Sequence, residues 1–330
     1  MYLSIFMKKL FIKDFRNYIQ QEVKDLFFIK KISTTSVNNK EYLSITIADK
    51  SGELQCKMWS EYIKNEYKTL EPGIYEITAD INLYQDNIST IIKFINAVEK
   101  YNLPDFAPCY QNIDTMYNEL VDCIDQIQKP HIKTLCELFF KNPEMERKIK
   151  MCQAGTIIHH VKIGGLVAHI LGMLKCALAY IPIYNSINAN NKDIKQVEID
   201  IDVVKCACLL HDIGKIKEYV PLPGNERTAN GILRGHINMS SEITYAAISN
   251  LRNEGIEFPV KDETKLMHCI TASHDFCGPN ISACKEAILV SRADSMDSMC
   301  NAIDTAINND VSENEFTSFN KYLGTQVYKF

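Results

Sequence analysis

The sequence predicts a chain of mixed α and β class, with an N-terminal five-stranded β-barrel followed by an all-α helical bundle. Three observations support this prediction: alternating apolar and polar residues before residue 100, a proline-punctuated break at Pro104 and Pro108, and helical spacing of apolar residues from Ile113 onward. At 330 residues, the chain is long enough for two domains. We therefore expect a barrel over residues 1–100, a linker over 101–112 and a bundle over 113–330.

The first domain contains five strand-like segments. Tyr42–Ala48 alternates apolar and polar positions and is rich in β-branched residues, which suits a half-buried strand. A turn at Asp49–Gly52 leads into Glu53–Trp59, which resumes the alternation as a hairpin partner. The other strand-like segments are Val23–Ile32, Ile74–Asn82 and Ile88–Val98. With a short helix predicted over Glu61–Thr69, between the third and fourth strands, they give the layout of an OB-fold barrel.

From Ile113 onward, apolar residues recur at three- and four-residue spacings, which is typical of helices that bury one face. The predicted helices cover residues 113–128, 131–141, 144–150, 160–180, 200–212, 238–253, 262–274 and 282–308. Residues 182–200 are polar and rich in asparagine, and residues 221–235 are predicted to form a loop.

The composition restricts the class of protein. A hydrophobic content of 46% and a charged content of 23% are typical of soluble globular proteins, and the apolar stretches are too short or too interrupted to span a bilayer. The twelve cysteines include no CxxC pair, and the first residues do not have the order of a signal peptide. We therefore expect reduced core thiols in a cytoplasmic protein with no membrane partner.

The charge is unevenly distributed along the chain. Residues 1–50 contain nine Lys and Arg and five acids, a balance of +4, so the remainder must carry −9 of the net charge of −5. A basic module joined to an acidic one is a weak indication of polyanion binding by the N-terminal domain. In that domain Trp59, Tyr42 and Tyr84 are candidate base-stacking residues, with burial in the barrel core as the alternative.

The dipeptide His211-Asp212 ends an apolar segment that begins at Val203 and is predicted to be buried. An unpaired carboxylate there would be strongly unfavourable, so we expect a cation, a metal or a dense hydrogen-bond network beside it. Seven of the eight histidines lie between residues 159 and 274, and another embedded acid follows at Asp294. This concentration of ligand types predicts a metal centre.

Metals that hydrolyse phosphate esters need neutral imidazoles, carboxylates and open positions for water and substrate. Apart from the adjacent His211 and Asp212, the candidate ligands are separated by tens of residues, so each group must come from its own helix or helix end. They are His169, His211, Asp212, His236, His274 and Asp294. Lys215, one helical turn after His211, suits a phosphate contact or stabilisation of the transition state, with a solvated lysine as the alternative.

Four further residues are candidates for metal or substrate contacts, each with a structural or solvated role as the alternative: His159, His160, His268 and Asp297. His159 and His160 suit the scissile phosphate or the terminal ribose. Asp297, one turn after Asp294, suits the orientation of a ligand histidine or a substrate contact.

The order of a helical His, a His-Asp pair and a distant Asp, with further histidines between them, resembles the HD-domain phosphohydrolase superfamily. Over nearly the whole chain, an OB-like first domain and the strings HHVKIGGLVAHI, LLHDIGKIKEY, GHINMSSEI and AILVSRADSMDS resemble the YhaM family of 3′–5′ exoribonucleases. The resemblance implies an OB-fold joined to an all-α HD domain. It also implies degradation of single-stranded RNA, and to some extent DNA, from the 3′ end with Mn²⁺ or a similar ion.

The resemblance also implies roles for individual residues. The positions that match the core HD ligands are His169, His211, Asp212 and Asp294, and His236 and His274 match the histidines expected where a second metal binds. In place of a His-His pair and a glycine, this chain has His274-Asp275-Phe276. Asp275 would serve as an oxygen ligand, and occupancy of the second site is left open.

The leading hypothesis is a metal-dependent exonuclease that releases nucleoside 5′-monophosphates. It would hold one or two divalent ions, with Asp212 placed to bridge two ions. Mn²⁺ is the favoured ion, with Co²⁺, Fe²⁺ and Mg²⁺ as alternatives. A hydrolase of small nucleotides (a nucleotidase, dNTPase or cyclic-dinucleotide phosphodiesterase) shares the metal centre but has little need for the barrel. The second alternative is a non-catalytic single-strand-binding protein. The RNA or DNA preference and homo-oligomer formation are left open.

Overall fold

Five strands close into a barrel at the N-terminal end of the chain. In this computed structural model, which describes residues 8–37, 40–189, 197–274 and 281–330, the chain divides into two compact units, residues 1–108 and 109–330. The strands are β1 (Gln21–Val37), β2 (Lys40–Asp49), β3 (Gly52–Trp59), β4 (Gly73–Tyr84) and β5 (Asn87–Ala97). Their order around the barrel is β1-β2-β3-β5-β4, and β1 also pairs with β4, which is the strand order of an OB-fold.

Alternation along the strands builds the barrel core. Leu43, Ile45 and Ile47 of β2 point inward and are 0–1% exposed, as are Cys56 and Met58 of β3. The predicted helix between β3 and β4 is instead two short 3₁₀ helices, Ser60–Tyr62 and Asn65–Thr69, separated by extended residues. The second of these buries the ring of Tyr67 in the barrel core, so side-chain packing rather than helix propensity shapes this segment.

The second unit is a bundle of helices. Those in the described part of the chain are α1 (Ile113–Asp125), α2 (Pro130–Phe140), α3 (Pro143–Met151), α4 (Gly165–Asn188), α5 (Ile201–Leu210), α6 (Lys215–Glu218), α7 (Ala229–Asn253), α8 (Val260–Thr271) and α9 (Lys285–Asn309). Helix α7 begins inside the predicted loop and kinks at Gly235, and the short α6 was not predicted. Helix α4 continues through Pro182, although the proline removes one backbone hydrogen bond, and the adjacent Ile181 is buried.

Helix α5 lies at the centre of this unit. It packs against α2, α4, α8 and α9, and all of its residues from Asp202 to Leu210 are buried. Its apolar sequence therefore reflects burial on every side. Helix α5 ends at Leu210 inside the unit. The two polar residues that follow it, His211 and Asp212, are therefore also buried and 0% exposed.

The bundle contains one long apolar helix and most of the cysteines. The expectation that every apolar stretch is too short or too interrupted to span a bilayer is wrong for helix α4, which is long and apolar enough to do so. Half of its most apolar window is buried inside the unit, so it is weak evidence for a membrane span. All eleven cysteines in the described part of the chain are free thiols, and most of them are buried in the core.

Candidate metal centre

Side chains from five helices converge at the end of α5. His169 comes from α4, His236 from α7 and Asp294 from α9, whereas His274 follows α8. They surround His211 and Asp212, so the structure brings together all six residues that the sequence indicated as candidate ligands.

These six side chains form two adjacent groups that share two carboxylates, Asp212 and Asp294. In the first, His169 Nε2 lies 3.1 Å from Asp294 Oδ1 and 3.5 Å from Asp212 Oδ2, and His211 Nε2 lies 3.3 Å from Asp212 Oδ2. In the second, His236 Nε2 lies 3.5 Å from the other oxygen, Asp212 Oδ1, and His274 Nε2 lies 3.6 Å from Asp294 Oδ2. Asp212 therefore directs one oxygen to each group.

The spacing of these atoms fits the coordination of divalent cations. Two donor atoms that each bind one ion at about 2.1 Å are about 3.0–3.5 Å apart, which matches the observed separations. The Nε2 atoms of His169, His211 and His236 are buried, and among the described residues none of them has a hydrogen-bond partner. Buried lone pairs of nitrogen and carboxylate oxygen that face one another need a positive charge between them.

The opposite nitrogen of three of the four candidate ligand histidines contacts a carboxylate or carbonyl oxygen. His169 Nδ1 lies 2.6 Å from Asp297 Oδ2, His236 Nδ1 lies 2.5 Å from Glu218 Oε2, and His211 Nδ1 lies 3.0 Å from the carbonyl oxygen of Cys208. Carboxylate and carbonyl oxygens accept only, so Nδ1 carries the proton in each case. The lone pair of each ring is therefore on Nε2, the atom that points into the cluster.

The electrostatics of the cluster favour bound positive charge. Burial alone would lower the pKa of His169, but the carboxylates of Asp212, Asp294 and Asp297 around its ring raise that pKa well above its ordinary value. Burial alone would raise the pKa of Asp212, but His211 and Lys215 hold it well below its ordinary value, so this carboxylate is ionised. A cation bound at Nε2 of His169 would be stabilised by the same carboxylates that stabilise a proton there.

Lys215 places a buried cation at the edge of the cluster. Its side chain is 3% exposed, and its Nζ lies 2.5 Å from Asp212 Oδ2. Burial would lower the pKa of Lys215, but the neighbouring Asp212 raises it, so the ammonium stays charged. In the structure, Lys215 is therefore an ion-pair partner that holds the Asp212 carboxylate in place.

Gly214 allows α7 to approach the end of α5. A Cβ atom on Gly214 would lie 2.3 Å from the carbonyl oxygen of His236, which is too close for any side chain. The Gly214 N–H donates to Ser240 Oγ at 2.9 Å and ties the two segments together. The glycine in the string HDIGK is thus required to place His236 beside Asp212.

The other residues that the sequence singled out lie in three places. His159 lies beside the cluster, with its ring centroid 5.6 Å from that of His169, and its buried Nδ1 has no partner among the described residues. His160 and Asp297 contact each other behind His169. His268 stands apart from the ligand groups, because its Nε2 accepts a hydrogen bond from the Ala283 N–H at 2.8 Å. Asp275 lies outside the described residues.

Glu218 is a residue that sequence reasoning missed. It is 1% exposed, contacts Arg227 through Oε1 and accepts from His236 Nδ1 through Oε2. Burial would raise the pKa of Glu218, but the hydrogen bond with His236 lowers it. The signal available in the sequence was its position three residues after Lys215, on the same face of a helix.

In the barrel, two of the three candidate stacking residues form a pair. Tyr42 and Trp59 lie opposite each other on β2 and β3, with ring centroids 5.4 Å apart, and both are half-buried. The Lys57 ammonium lies 5.5 Å and 5.7 Å from the two ring centroids. Tyr84 is 68% exposed at the end of β4.

Binding of a divalent cation should raise the thermal stability of the helical unit. At a Mn²⁺ concentration of about 100 times the dissociation constant, the gain is about 2.7 kcal/mol, or about 5–10 °C for a domain of this size. The shift can be followed by circular dichroism at 222 nm and should be reversed by chelation. It should shrink in Asp294→Asn, and an unchanged midpoint in the wild type would contradict a metal centre.

The comparisons with known proteins agree with this geometry. The family model of the HD domain matches residues 166–299, which include all six candidate ligands, so the helical unit contains a region that matches an HD domain. The predicted fold class, a five-stranded barrel followed by a helical HD domain, is confirmed.

Curated relatives match over nearly the full length of the chain. A protein of Bacillus subtilis (strain 168) named 3′–5′ exoribonuclease YhaM is 27% identical over 90% of this chain and 91% of its own length. Proteins of the same name from Geobacillus sp. (strain WCH70) and Shouchella clausii (strain KSM-K16) are 28% and 27% identical, over 91% and 89% of this chain and 90% and 89% of their own lengths. The resemblance to the YhaM family that the motifs indicated is confirmed.

Proposed function

We propose that this chain, a relative of the YhaM exoribonucleases with an HD domain, is a metal-dependent 3′–5′ exoribonuclease that hydrolyses single-stranded RNA to nucleoside 5′-monophosphates. The observation that carries the proposal is the buried Asp212, whose two oxygens face two groups of imidazole and carboxylate donors. Single-stranded DNA is a secondary substrate in this proposal.

We assign the six converging side chains as ligands of one or two divalent ions, with Mn²⁺ as the favoured ion: His169, His211, Asp212, His236, His274 and Asp294. Such an ion would act as a Lewis acid on the scissile phosphate and on the attacking water. The protein holds the ligands in place: the Nδ1 contacts fix each ring, and Lys215 fixes Asp212. Lys215 also adds positive charge where negative charge develops on the phosphate.

We assign His159 to a contact with the terminal phosphate or ribose. Burial and the nearby charges of Lys215 and His169 lower the pKa of His159 to about 3, so the ring is neutral. A neutral imidazole presents one donor and one acceptor, and its Nδ1 has no partner among the described residues. A substrate hydroxyl or phosphate oxygen would satisfy such a group.

We assign residues 1–100 to substrate binding and residues 113–330 to catalysis, with 101–112 as the connecting segment. OB-folds bind single strands on the face of their second and third strands and through the loop between the fourth and fifth. Tyr42, Trp59 and Lys57 occupy β2 and β3, and Tyr84 lies beside the β4–β5 turn. Two aromatic rings with an ammonium beside them suit bases and phosphates together. The enzyme would act in the cytoplasm, where its RNA substrate and reduced thiols are found.

The reaction class and polarity can be tested together. A single-stranded oligoribonucleotide labelled at the 5′ end should yield a ladder that shortens with time, whereas the 3′-labelled strand should release labelled mononucleotide at once. Both reactions should require Mn²⁺, with Co²⁺ and Mg²⁺ tested in parallel. Preferential turnover of free nucleotides would support a small-nucleotide hydrolase instead, and binding without hydrolysis would support a non-catalytic binding protein.

Removal of the Trp59 ring should weaken strand binding. Trp59→Ala should lose about 1–3 kcal/mol of affinity for a single-stranded oligonucleotide, because one stacked base loses its platform. Fluorescence anisotropy with a 5′-labelled strand measures this change. Phe94→Ala is the matched control, since Phe94 is an exposed aromatic residue of β5 that is 48% exposed. Equal affinity losses in the two variants would contradict a binding face on β2 and β3.

A further inference from the structure

One carboxylate behind the cluster holds two histidines. Asp297 lies in α9 one turn after Asp294, and its Oδ2 is 2.6 Å from His169 Nδ1 and 2.9 Å from His160 Nε2. Both nitrogens must carry protons, because an ionised carboxylate only accepts hydrogen bonds. Burial would raise the pKa of Asp297, but the two histidines that face it lower that pKa.

The hydrogen-bond chain continues outward to a tyrosine. His160 Nδ1 lies 2.7 Å from the Tyr110 hydroxyl oxygen. An imidazole whose proton is on Nε2 accepts at Nδ1, so the Tyr110 hydroxyl donates to His160. Burial raises the pKa of Tyr110, which keeps this hydroxyl protonated. Tyr110 thus donates to His160, and His160 donates to Asp297.

Two unusual local features hold the hydrogen-bonded residues Tyr110, His160 and Asp297 in place. His160 has a φ of +47°, a left-handed conformation that non-glycine residues adopt rarely, and its N–H donates to Asn301 Oδ1 at 2.7 Å. A Cβ atom on Gly172 of α4 would lie 2.1 Å from Asp297 Oδ1, so only glycine leaves room for the carboxylate. Both features serve the placement of Asp297 against His169.

These residues do not form a third cation site. His160, His169 and Asp297 have ligand-type atoms close together, but the pairs joined through Asp297 are 2.6 and 2.9 Å apart. Such distances are those of hydrogen bonds, whereas donors that share an ion are about 3.0–3.5 Å apart. The group is therefore a support for His169.

We propose that Tyr110, His160 and Asp297 are positioning residues that lock His169 with its proton on Nδ1 and its lone pair on Nε2. This proposal rests on the proposed function only in so far as both use the same metal centre. Partners of this kind typically change metal affinity by about 10–100-fold. The effect of a substitution on metal affinity should decrease along this series of hydrogen bonds, from Asp297 to His160 to Tyr110.

Mn²⁺ binding by the full chain tests the proposal without any assay of activity. The electron paramagnetic resonance signal of free Mn²⁺ gives the dissociation constant. We expect Asp297→Leu to weaken the tighter site by about 10–100-fold, and Asp297→Asn to weaken it less, because its amide oxygen still accepts a hydrogen bond. His160→Asn removes the imidazole but tolerates the left-handed backbone, and it should weaken binding about threefold or more.

A matched control and a second measurement separate positioning from general damage. His131→Asn removes a histidine that contacts another carboxylate, Asp262, at 2.9 Å, and it should leave Mn²⁺ affinity unchanged. Tyr110→Phe removes one oxygen atom and should give the smallest loss of affinity. In ¹⁵N-histidine-labelled protein with Zn²⁺, long-range ¹H–¹⁵N spectra should show His169 protonated on Nδ1 in the wild type, and this signature should weaken in Asp297→Leu.

The outcomes are distinguishable. If the wild type binds Mn²⁺ and folded His160→Asn and Asp297→Leu bind it equally well, the positioning role is overturned while the metal centre stands. If the wild type binds no Mn²⁺, the proposed function fails and this role fails with it. Graded losses of affinity along the chain, with His131→Asn unchanged, support the proposal.

Discussion

Replacement of Asp212 by asparagine should reduce the rate of RNA hydrolysis by at least about 10³-fold. The substitution keeps the size of the side chain but removes the charge that both donor groups share. Loss of about 4 kcal/mol of transition-state stabilisation at a metal centre corresponds to a change of this size. Release of 5′-monophosphates from a single-stranded oligoribonucleotide with saturating Mn²⁺ measures it. Affinity for the strand should stay nearly unchanged, because we assign strand binding to the barrel.

The control for this variant is the same substitution at another buried carboxylate of the helical unit. Asp202 Oδ2 accepts hydrogen bonds from the backbone N–H groups of Gln128 and Lys129, and Asp202→Asn retains an acceptor oxygen. We expect Asp202→Asn to keep its activity. Full activity in Asp212→Asn would refute the assignment of this centre to catalysis.

The barrel could be predicted from the sequence because a strand encodes its two faces with a period of two residues. Tyr42–Ala48 and Glu53–Trp59 show that alternation directly, and the structure pairs them as predicted. The segment after β3 could not be predicted in the same way. Its two 3₁₀ helices are too short for a periodic signal, and they follow the burial of Tyr67, which depends on the closed barrel.

The candidate ligands could be singled out because acids and imidazoles are uncommon in apolar helices. Their convergence needed the structure, since the helices that carry His169 and Asp294 are far apart in sequence. The residues that hold the ligands gave no such signal. Glu218 sits in a four-residue helix, and its role depends on where His236 places Nδ1.

His160 shows why side-chain direction is hard to predict from sequence. As one of two adjacent histidines it suggested a contact with substrate, but the structure turns it towards Asp297. Its left-handed backbone is fixed by a hydrogen bond that its N–H donates to Oδ1 of Asn301, which is 141 residues away. No local pattern records a contact over such a distance.

Replacement of Lys215 by methionine should destabilise the metal-free protein more than the Mn²⁺-loaded protein. Methionine keeps the apolar length of the side chain but removes the ammonium that lies 2.5 Å from Asp212 Oδ2. A buried carboxylate that loses its partner typically costs about 3–5 kcal/mol in the free energy of unfolding. Bound Mn²⁺ supplies charge beside the same carboxylate, so the deficit should shrink when the site is saturated. Urea unfolding with and without Mn²⁺ measures both values.

Turnover provides a second measurement of the same substitution. We expect kcat of Lys215→Met to fall by about 10²–10³-fold with saturating Mn²⁺, because the ammonium no longer fixes Asp212 or offsets charge on the phosphate. Lys205→Met is the matched control: Lys205 is 7% exposed in α5, and its Nζ donates to the Gln126 carbonyl oxygen at 3.3 Å. Its loss should affect stability equally with and without Mn²⁺ and should leave kcat unchanged. If Lys215→Met behaved like Lys205→Met, its ammonium would be a core cation with no part in the metal centre.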